Sequence, residues 1–448
     1  MMPRFVLALI LLAAPAYSDA PVLTRPEKEA LRLVAKEWIG LGKWCVGKKL
    51  GTQAKQAAGK AAQADAASDG LAGLQKSAET CEDAATDADL KSYESQEKAA
   101  RKKIAGILEK LYRMGEKETD LKVQERYEGY FWSAMEIDPQ DKRWTAAVAL
   151  ASQAAADKKQ QERAARIASR ALSLGPPAGL VPALKKVLDA AATDGMILRT
   201  CNGHPLKYYL SLPRGFERKK GKKWPVLIPV DGAGSNFAGI AGGYRDARGS
   251  LSFIIASPCT FANTNDIDGK MLEKYQGYYT DEVIEKGKAE RLSWDEQGIL
   301  AMIEDLEKEY DAEERVYVTG FSGGGQATYM MTLRHPDLVN GSAPACGNFA
   351  NYLRYQETKD KFTDADRNFP VHQITGEKDE HREFTFGNKA SPGIEPQTDA
   401  AAVFLKDLGY PNVKRTLVPG MGHSSAIPQV IETFKPYWEG TKKRGDKL

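Results

Sequence analysis

Between residues 196 and 418 the chain alternates short apolar runs with stretches able to form helices, and no other feature limits its fold more. The runs are 196–199, 208–212, 224–230, 253–256, 316–319, 341–345, 371–375 and 413–418. Pro225 and Pro229 weaken the third as a strand, because proline cannot donate to a sheet ladder. Residues 295–310 read as a helix with Ile299, Met302, Ile303 and Leu306 on one face. Such alternation predicts an α/β class, with a mostly parallel sheet covered on both faces by helices.

The first part of the chain follows a different grammar. Residues 21–190 are rich in Ala, Lys, Glu and Gln and poor in strand-like runs. Thr24-Arg25-Pro26-Glu27 is a capping-box pattern that opens a helix. Leu31, Val34, Trp38, Leu41 and Cys45 then recur at helical spacing. Ile104, Ile107, Leu108 and Leu111 make a second apolar face, and Tyr127, Tyr130, Phe131 and Trp132 an aromatic third. All three predict helix–helix core. Residues 51–88 are so rich in small and polar types that loosely packed helices are expected there. Residues 134–139 are echoed by 171–176, each a helix end stopped by proline. This weakly resembles tetratricopeptide-type helical hairpins, without their tryptophan–glycine–tyrosine signature. The expected organisation is a leader at 1–18, an all-α domain at 19–192, an α/β domain at 193–440 and a basic tail at 441–448.

Arg4, the apolar run 5–16 and the small-residue site Ala16-Tyr17-Ser18 read as a secretory signal. The run is shorter than the roughly 20 residues of a membrane-spanning helix. A secreted or periplasmic location follows, where disulfides persist. Of the five cysteines, Cys45, Cys81, Cys201, Cys259 and Cys346, the first two fall in the helical region and are able to pair, but spacing does not determine connectivity. None has zinc-site spacing, so no metal is expected. The net charge of +3 is small, and the basic clusters 218–223 and 442–444 read as a solvated loop and tail. No nucleic-acid partner is expected.

The chemistry concentrates at Gly320-Phe321-Ser322-Gly323-Gly324, which follows an apolar run and precedes a helix-competent one. A serine hydroxyl is a weak nucleophile until a base stands beside it, and a glycine-flanked turn between strand and helix holds it exposed for that base. On such sheets the partners follow in the order serine, acid, histidine. Of the five histidines, His423 in Gly420-Met421-Gly422-His423 follows the last run on a glycine-rich loop. His372 falls inside a strand and His381 in a charged loop. Asp379 leaves the run 371–375 where the acid belongs, with Glu377 and Glu380 as close rivals. The oxyanion needs two donors. Gly323 N–H supplies one by the geometry of the turn. The second is expected from Asp231-Gly232-Ala233-Gly234, with Ala233 first and Gly232 and Gly234 beside it. That loop lacks the lysine and glycine spacing of a phosphate cradle.

Together Asp231 to Gly234, Gly320 to Gly325, Arg334-His335-Pro336-Asp337, Gly376 to Asp379 and Gly420 to His423 resemble the α/β-hydrolase superfamily over just over half the chain. Within it the chain is similar to the secreted branch of polyhydroxyalkanoate depolymerases and feruloyl or acetylxylan esterases. The resemblance implies a cofactor-independent serine esterase acting on a small or polymeric ester. The branch often has His-Gly where this chain has Asp231-Gly232, which sets its oxyanion loop apart. Two insertions, 261–291 with Phe261, Tyr275, Tyr278 and Tyr279, and 348–368 with Phe349, Tyr352 and Tyr355, fit ordinary packing or an aromatic cleft. Asp266-Ile267-Asp268-Gly269 lacks the later ligands of a calcium loop. Alternative functions are a serine peptidase of the prolyl-oligopeptidase type and a binding or scaffold protein presenting the helical domain, whose partner the sequence leaves unknown.

Overall fold

The computed structural model describes residues 23–448 apart from 116–120, 158–159, 194, 219–220, 234–235, 264–266, 268–269, 350–360 and 385–391. The leader pattern, Gly234, Tyr352, Tyr355 and most of the aspartate-rich tetrapeptide lie outside the described residues. Two compact units emerge, one from Met1–Ala149 with Ala171–Val181, the other from Leu150–Arg170 with Pro182–Leu448.

Among the described residues, eight α-helices come first: α1 (Arg25–Gly47), α2 (Gly51–Ala64), α3 (Leu71–Glu79), α4 (Asp87–Gly115), α5 (Leu121–Ile137), α6 (Asp141–Ala156), α7 (Gln161–Ser173) and α8 (Val181–Ala192). The capping box at Thr24 is formed: Thr24 Oγ1 accepts from Glu27 N–H while Glu27 Oε2 accepts from Thr24 N–H at 2.8 Å. The stripe Leu31, Val34, Trp38, Leu41 and Cys45 is buried, as are Ile104, Leu108, Leu111, Tyr127, Tyr130 and Phe131. The expectation of loose packing in 51–88 is corrected. Ala54, Ala57, Ala58, Ala61 and Ala64 of α2 form a continuous buried ridge, because methyl side chains let helices approach closely. A methyl group on Gly42 of α1 would sit 2.6 Å from Leu74 of α3. Within the described residues all five cysteines are free thiols, Cys45 and Cys81 included.

The second unit is built on strands β1 (Ile197–Thr200), β2 (Lys207–Ser211), β3 (Val226–Val230), β4 (Ile254–Pro258), β5 (Val316–Phe321), β6 (Val339–Ala345), β7 (Val371–Gly376) and β8 (Val413–Val418). They lie in the order β1-β2-β4-β3-β5-β6-β7-β8, antiparallel from β1 to β4 and parallel from there on. Between them run α9 (Phe237–Arg248), α10 (Lys270–Gln276), α11 (Asp281–Glu290), α12 (Leu292–Tyr310), α13 (Gly325–Arg334), α14 (Asp364–Arg367) and α15 (Ile394–Asp407), and α16 (Ile427–Trp438) closes the unit. Pro229 sits inside central β3, in the run read as a strand despite its prolines. The ladder of β3 with β4 runs through Val226 and Leu227, so Pro229 is outside that pairing; it is paired with Thr319 of β5 on the other side, and its carbonyl accepts from Ser257 Oγ of β4 at 2.8 Å.

Strand alternation sorts the helices onto two faces. His372 of β7 turns to α16, its Nδ1 2.7 Å from Thr433 Oγ1, while Gln373 turns the other way and donates to Tyr329 Oη of α13 at 2.8 Å. The α9/α16 face carries the core of Leu227, Ile255, Tyr317, Ile374, Val430 and Phe434. Each such side chain contributes about 2 kcal/mol by leaving water. The basic tail is not simply solvated: Arg444 donates to Ala365 O at 2.6 Å and Pro336 O at 3.2 Å. Arg218 likewise pairs with Asp189 at 2.8 Å.

Candidate active site

Strand β5 runs between β3 and β6 and ends directly before Ser322. Ser322 has φ 52°, in the left-handed region, and a single 3-10 turn, Ser322–Gly324, leads into α13. Such a non-glycine conformation costs on the order of 1–3 kcal/mol and persists only when its surroundings hold it. They do so by close approach. A Cβ on Gly320 would meet Gly324 O at 2.2 Å, and one on Gly324 would meet Val230 O at 2.5 Å. A sheet of this order, with β2 reversed and a strained serine between β5 and a helix, decides the architecture. The fold is that of an α/β-hydrolase.

No protein-family model and no curated protein matches the chain. Among solved structures, a thermostable esterase is similar at 17% identity over 56% of this chain and 63% of its own, with a TM-score of 0.36. Poly(aspartic acid) hydrolase-1 from Sphingomonas sp. KT-1 is similar at 16% identity over 53% of this chain and 97% of its own, TM-score 0.37. The feruloyl esterase module from Clostridium thermocellum is similar at 16% identity over 54% of this chain and 86% of its own, TM-score 0.35. The fold assignment rests on the strand order and the serine turn rather than on likenesses this distant. The tetratricopeptide resemblance of the first unit finds no support in these comparisons.

In this hydrolase fold the three downstream carboxylates divide their tasks. Asp379 Oδ2 accepts from His423 Nδ1 at 2.9 Å, whereas Glu377 accepts from Gly420 N–H at 2.8 Å and Glu380 from the backbone N–H of His423 at 3.3 Å. Asp379 therefore engages the ring, and its rivals steady the loop that carries it. Burial acts to raise the pKa of Asp379, but hydrogen bonds from His423, His381 N–H and the Cys346 thiol outweigh it and hold the group below its usual range. The His423 ring packs against Phe321, centroids 4.7 Å apart, beside the residue that precedes Ser322. His381 packs edge-on to His423 at 4.8 Å. His372 stays in the core between two threonine hydroxyls, and burial pushes its pKa down to about 4.

The turn after β3 lies against the serine. A Cβ on Gly232 would be 3.2 Å from Ser322 Cβ. Gly232 N–H donates to Asp231 Oδ1 at 2.9 Å, which engages that donor and leaves Ala233, exposed at the tip, as the next amide along. Asp231 is buried, and its Oδ2 is 3.6 Å from Lys274 Nζ of α10. On the other side of the turn, Asn263 Nδ2 donates to Gly232 O at 3.4 Å. The backbone of Asn263 presses on the residue after the serine, for a Cβ on Gly323 would lie 1.8 Å from Asn263 O.

Three of these neighbours escaped the sequence. Asn263 and Lys274 belong to an insertion whose packing no periodicity encodes. Cys346 follows β6, and its register was the available signal: Phe321 pairs with Ala345, which sets Cys346 level with Ser322. Cys346 Sγ, a ring nitrogen of His423 and a carboxylate oxygen of Asp379 lie within 4.8 Å of one another. Burial pushes the thiol up to about 12, and the thiol hydrogen-bonds Asp379. The insertion aromatics pack inward: Phe261, Tyr275 and Tyr279 are buried, with Phe261 stacked on Tyr275 at 4.7 Å. Phe349 is buried against Tyr329 at 4.8 Å.

Proposed function

We propose that the chain is an exported serine hydrolase that cleaves carboxylic esters through Ser322, His423 and Asp379. The observation that carries this reading is the 2.9 Å bond between His423 Nδ1 and Asp379 Oδ2 on the loop whose ring packs beside the strained Ser322 turn. With Nδ1–H given to Asp379, the lone pair of His423 stands on Nε2, the tautomer a general base needs. Ser322 Oγ attacks the ester carbonyl as His423 takes its proton, and Asp379 stabilises the imidazolium without being protonated itself. The Gly323 and Ala233 amides hold the oxyanion, each contributing about 3 kcal/mol to the transition state. His423 then protonates the departing alcohol, and water repeats the sequence on the acyl-enzyme. The leader-like pattern at residues 1–18 supports export, and the esterases among similar folds agree with an ester substrate.

The test is labelling with a fluorophosphonate probe alongside turnover of short-chain, aryl and peptide substrates. Wild type is expected to label and to hydrolyse esters, and Ser322→Ala to do neither while remaining folded. Absence of labelling in folded wild type would overturn the enzyme reading in favour of a binding role. Preferential cleavage of the peptides would move the reaction to an amide.

A further inference from the structure

Through Asp231 and Asn263, two neighbouring side chains of helix α10 reach the two backbone groups of one residue, Gly232, beside Ser322. Lys274 Nζ lies 3.6 Å from Asp231 Oδ2, and Asp231 Oδ1 in turn accepts the Gly232 N–H at 2.9 Å. Tyr275 Oη lies 2.8 Å from Asn263 Oδ1, and Asn263 Nδ2 donates to the Gly232 carbonyl. The same tyrosine hydroxyl is 2.8 Å from Thr260 O, which fixes it to the end of β4. The Lys274 ammonium also sits 4.0 Å from the ring centroid of Phe237, the first residue of the helix that leaves the turn. Both the donor and the acceptor of Gly232 are thus engaged by side chains anchored to α10.

We propose that Lys274 and Tyr275 are positioning residues that set the oxyanion-stabilising turn 231–233 of this chain through Asp231 and Asn263. The proposal rests on the hydrolase reading above. Asp231 is 1% exposed and the Lys274 side chain 14%, so the two charges face each other largely out of water. Removing the ammonium leaves a buried carboxylate drawn to turn toward water, and that turn releases the Gly232 N–H. The Ala233 amide follows Gly232 directly, so its aim at the oxyanion is lost with it. This arrangement gives a role to the aspartate that stands where related esterases often carry histidine.

The experiment compares wild type, Lys274→Met, Tyr275→Phe, Asp231→Ala and the neutral pair Asp231→Asn/Lys274→Met on p-nitrophenyl acetate, with fluorophosphonate labelling in parallel. Lys274→Met and Asp231→Ala are expected to lower kcat at least tenfold with KM unchanged within about twofold, because the turn acts on the transition state. Tyr275→Phe is expected to lower kcat a few-fold. The neutral pair keeps an acceptor for Gly232 N–H with no charge left unpaired, and is expected to recover to within about threefold of wild type. That pair also keeps the proposal testable if a single variant fails to fold. Wild-type kcat in folded Lys274→Met would overturn the proposal, as would a loss carried by KM, which would make Lys274 a substrate contact. A neutral pair no better than Lys274→Met would overturn it too. Wild type that neither labels nor turns over the ester would instead remove the hydrolase reading itself.

Discussion

The helical unit and the sheet unit each bury carboxylates, and use them for different ends. In the helical unit, fully buried Glu27 pairs with Arg126 at 2.8 Å and accepts from Tyr130 Oη at 3.1 Å, so one charge ties α1 to α5. In the sheet unit, Asp231 holds the turn after β3, Asp295 holds the loop after β4, and Asp379 holds the histidine beyond β8. Each acts on a loop at the end of a parallel strand. The same chemical group is a strut where helices pack side by side, and a positioner where loops converge. A parallel sheet gathers loops distant in sequence at the carboxyl ends of its strands.

The sharpest way to break this contrast is to neutralise one positioner without altering its shape. Asp379→Asn leaves the packing intact but favours the wrong His423 tautomer, and is expected to lower ester kcat by roughly 10³–10⁴-fold. Glu377→Gln, at the carboxylate that accepts from the Gly420 amide, is expected to cost no more than a few-fold. Steady-state kinetics on the two variants decides between them, and equal losses would mean that the histidine loop as a whole, rather than one carboxylate, carries the effect.

In the helical unit the expected consequence of losing a carboxylate is on stability. Glu27→Ala leaves Arg126 without its partner and Tyr130 without its acceptor, a change of about 3–5 kcal/mol. Denaturant unfolding followed alongside ester turnover is the measurement. The midpoint is expected to fall with turnover per folded molecule unchanged. A parallel loss of turnover would show that the helical unit takes part in the chemistry, and the contrast would fail.

How far the sequence revealed these roles follows the same division. The eight strands of the described residues were legible as short apolar or β-branched runs bounded by turn residues. Ser322, Asp379 and His423 stood out as candidates because each follows such a run, and the structure joins Asp379 to His423. The tight packing of α2 was not, since alanine reads as weakly apolar while its small size is what permits close approach. Lys274 and Asn263 were hidden for another reason. They lie in an insertion, 43 and 31 residues from their partners, and only the folded loop brings an ammonium and an amide to the turn at Asp231 and Gly232.

Asp295 sharpens the comparison further, because it is as buried as Glu27 but bonds amides where Glu27 has a cation. Its oxygens accept from Phe261 N–H at 2.8 Å and Ala262 N–H at 2.7 Å. Burial pushes its pKa up to about 7 against these bonds, which favour the charged form. The unfolded chain releases this proton near 3.8, so between there and 7 the folded state holds a proton that the unfolded state lacks. Stability from this group is therefore full at low pH, falls as pH rises through that window, and levels off above it. Asp295→Asn removes the titration. The difference in Tm between variant and wild type is expected to shift in the variant's favour from about pH 4 to about pH 8. A constant difference would mean that Asp295 is already ionised at low pH, which would make its two amide bonds strong enough to overcome complete burial and would put it with Asp379 rather than apart from it.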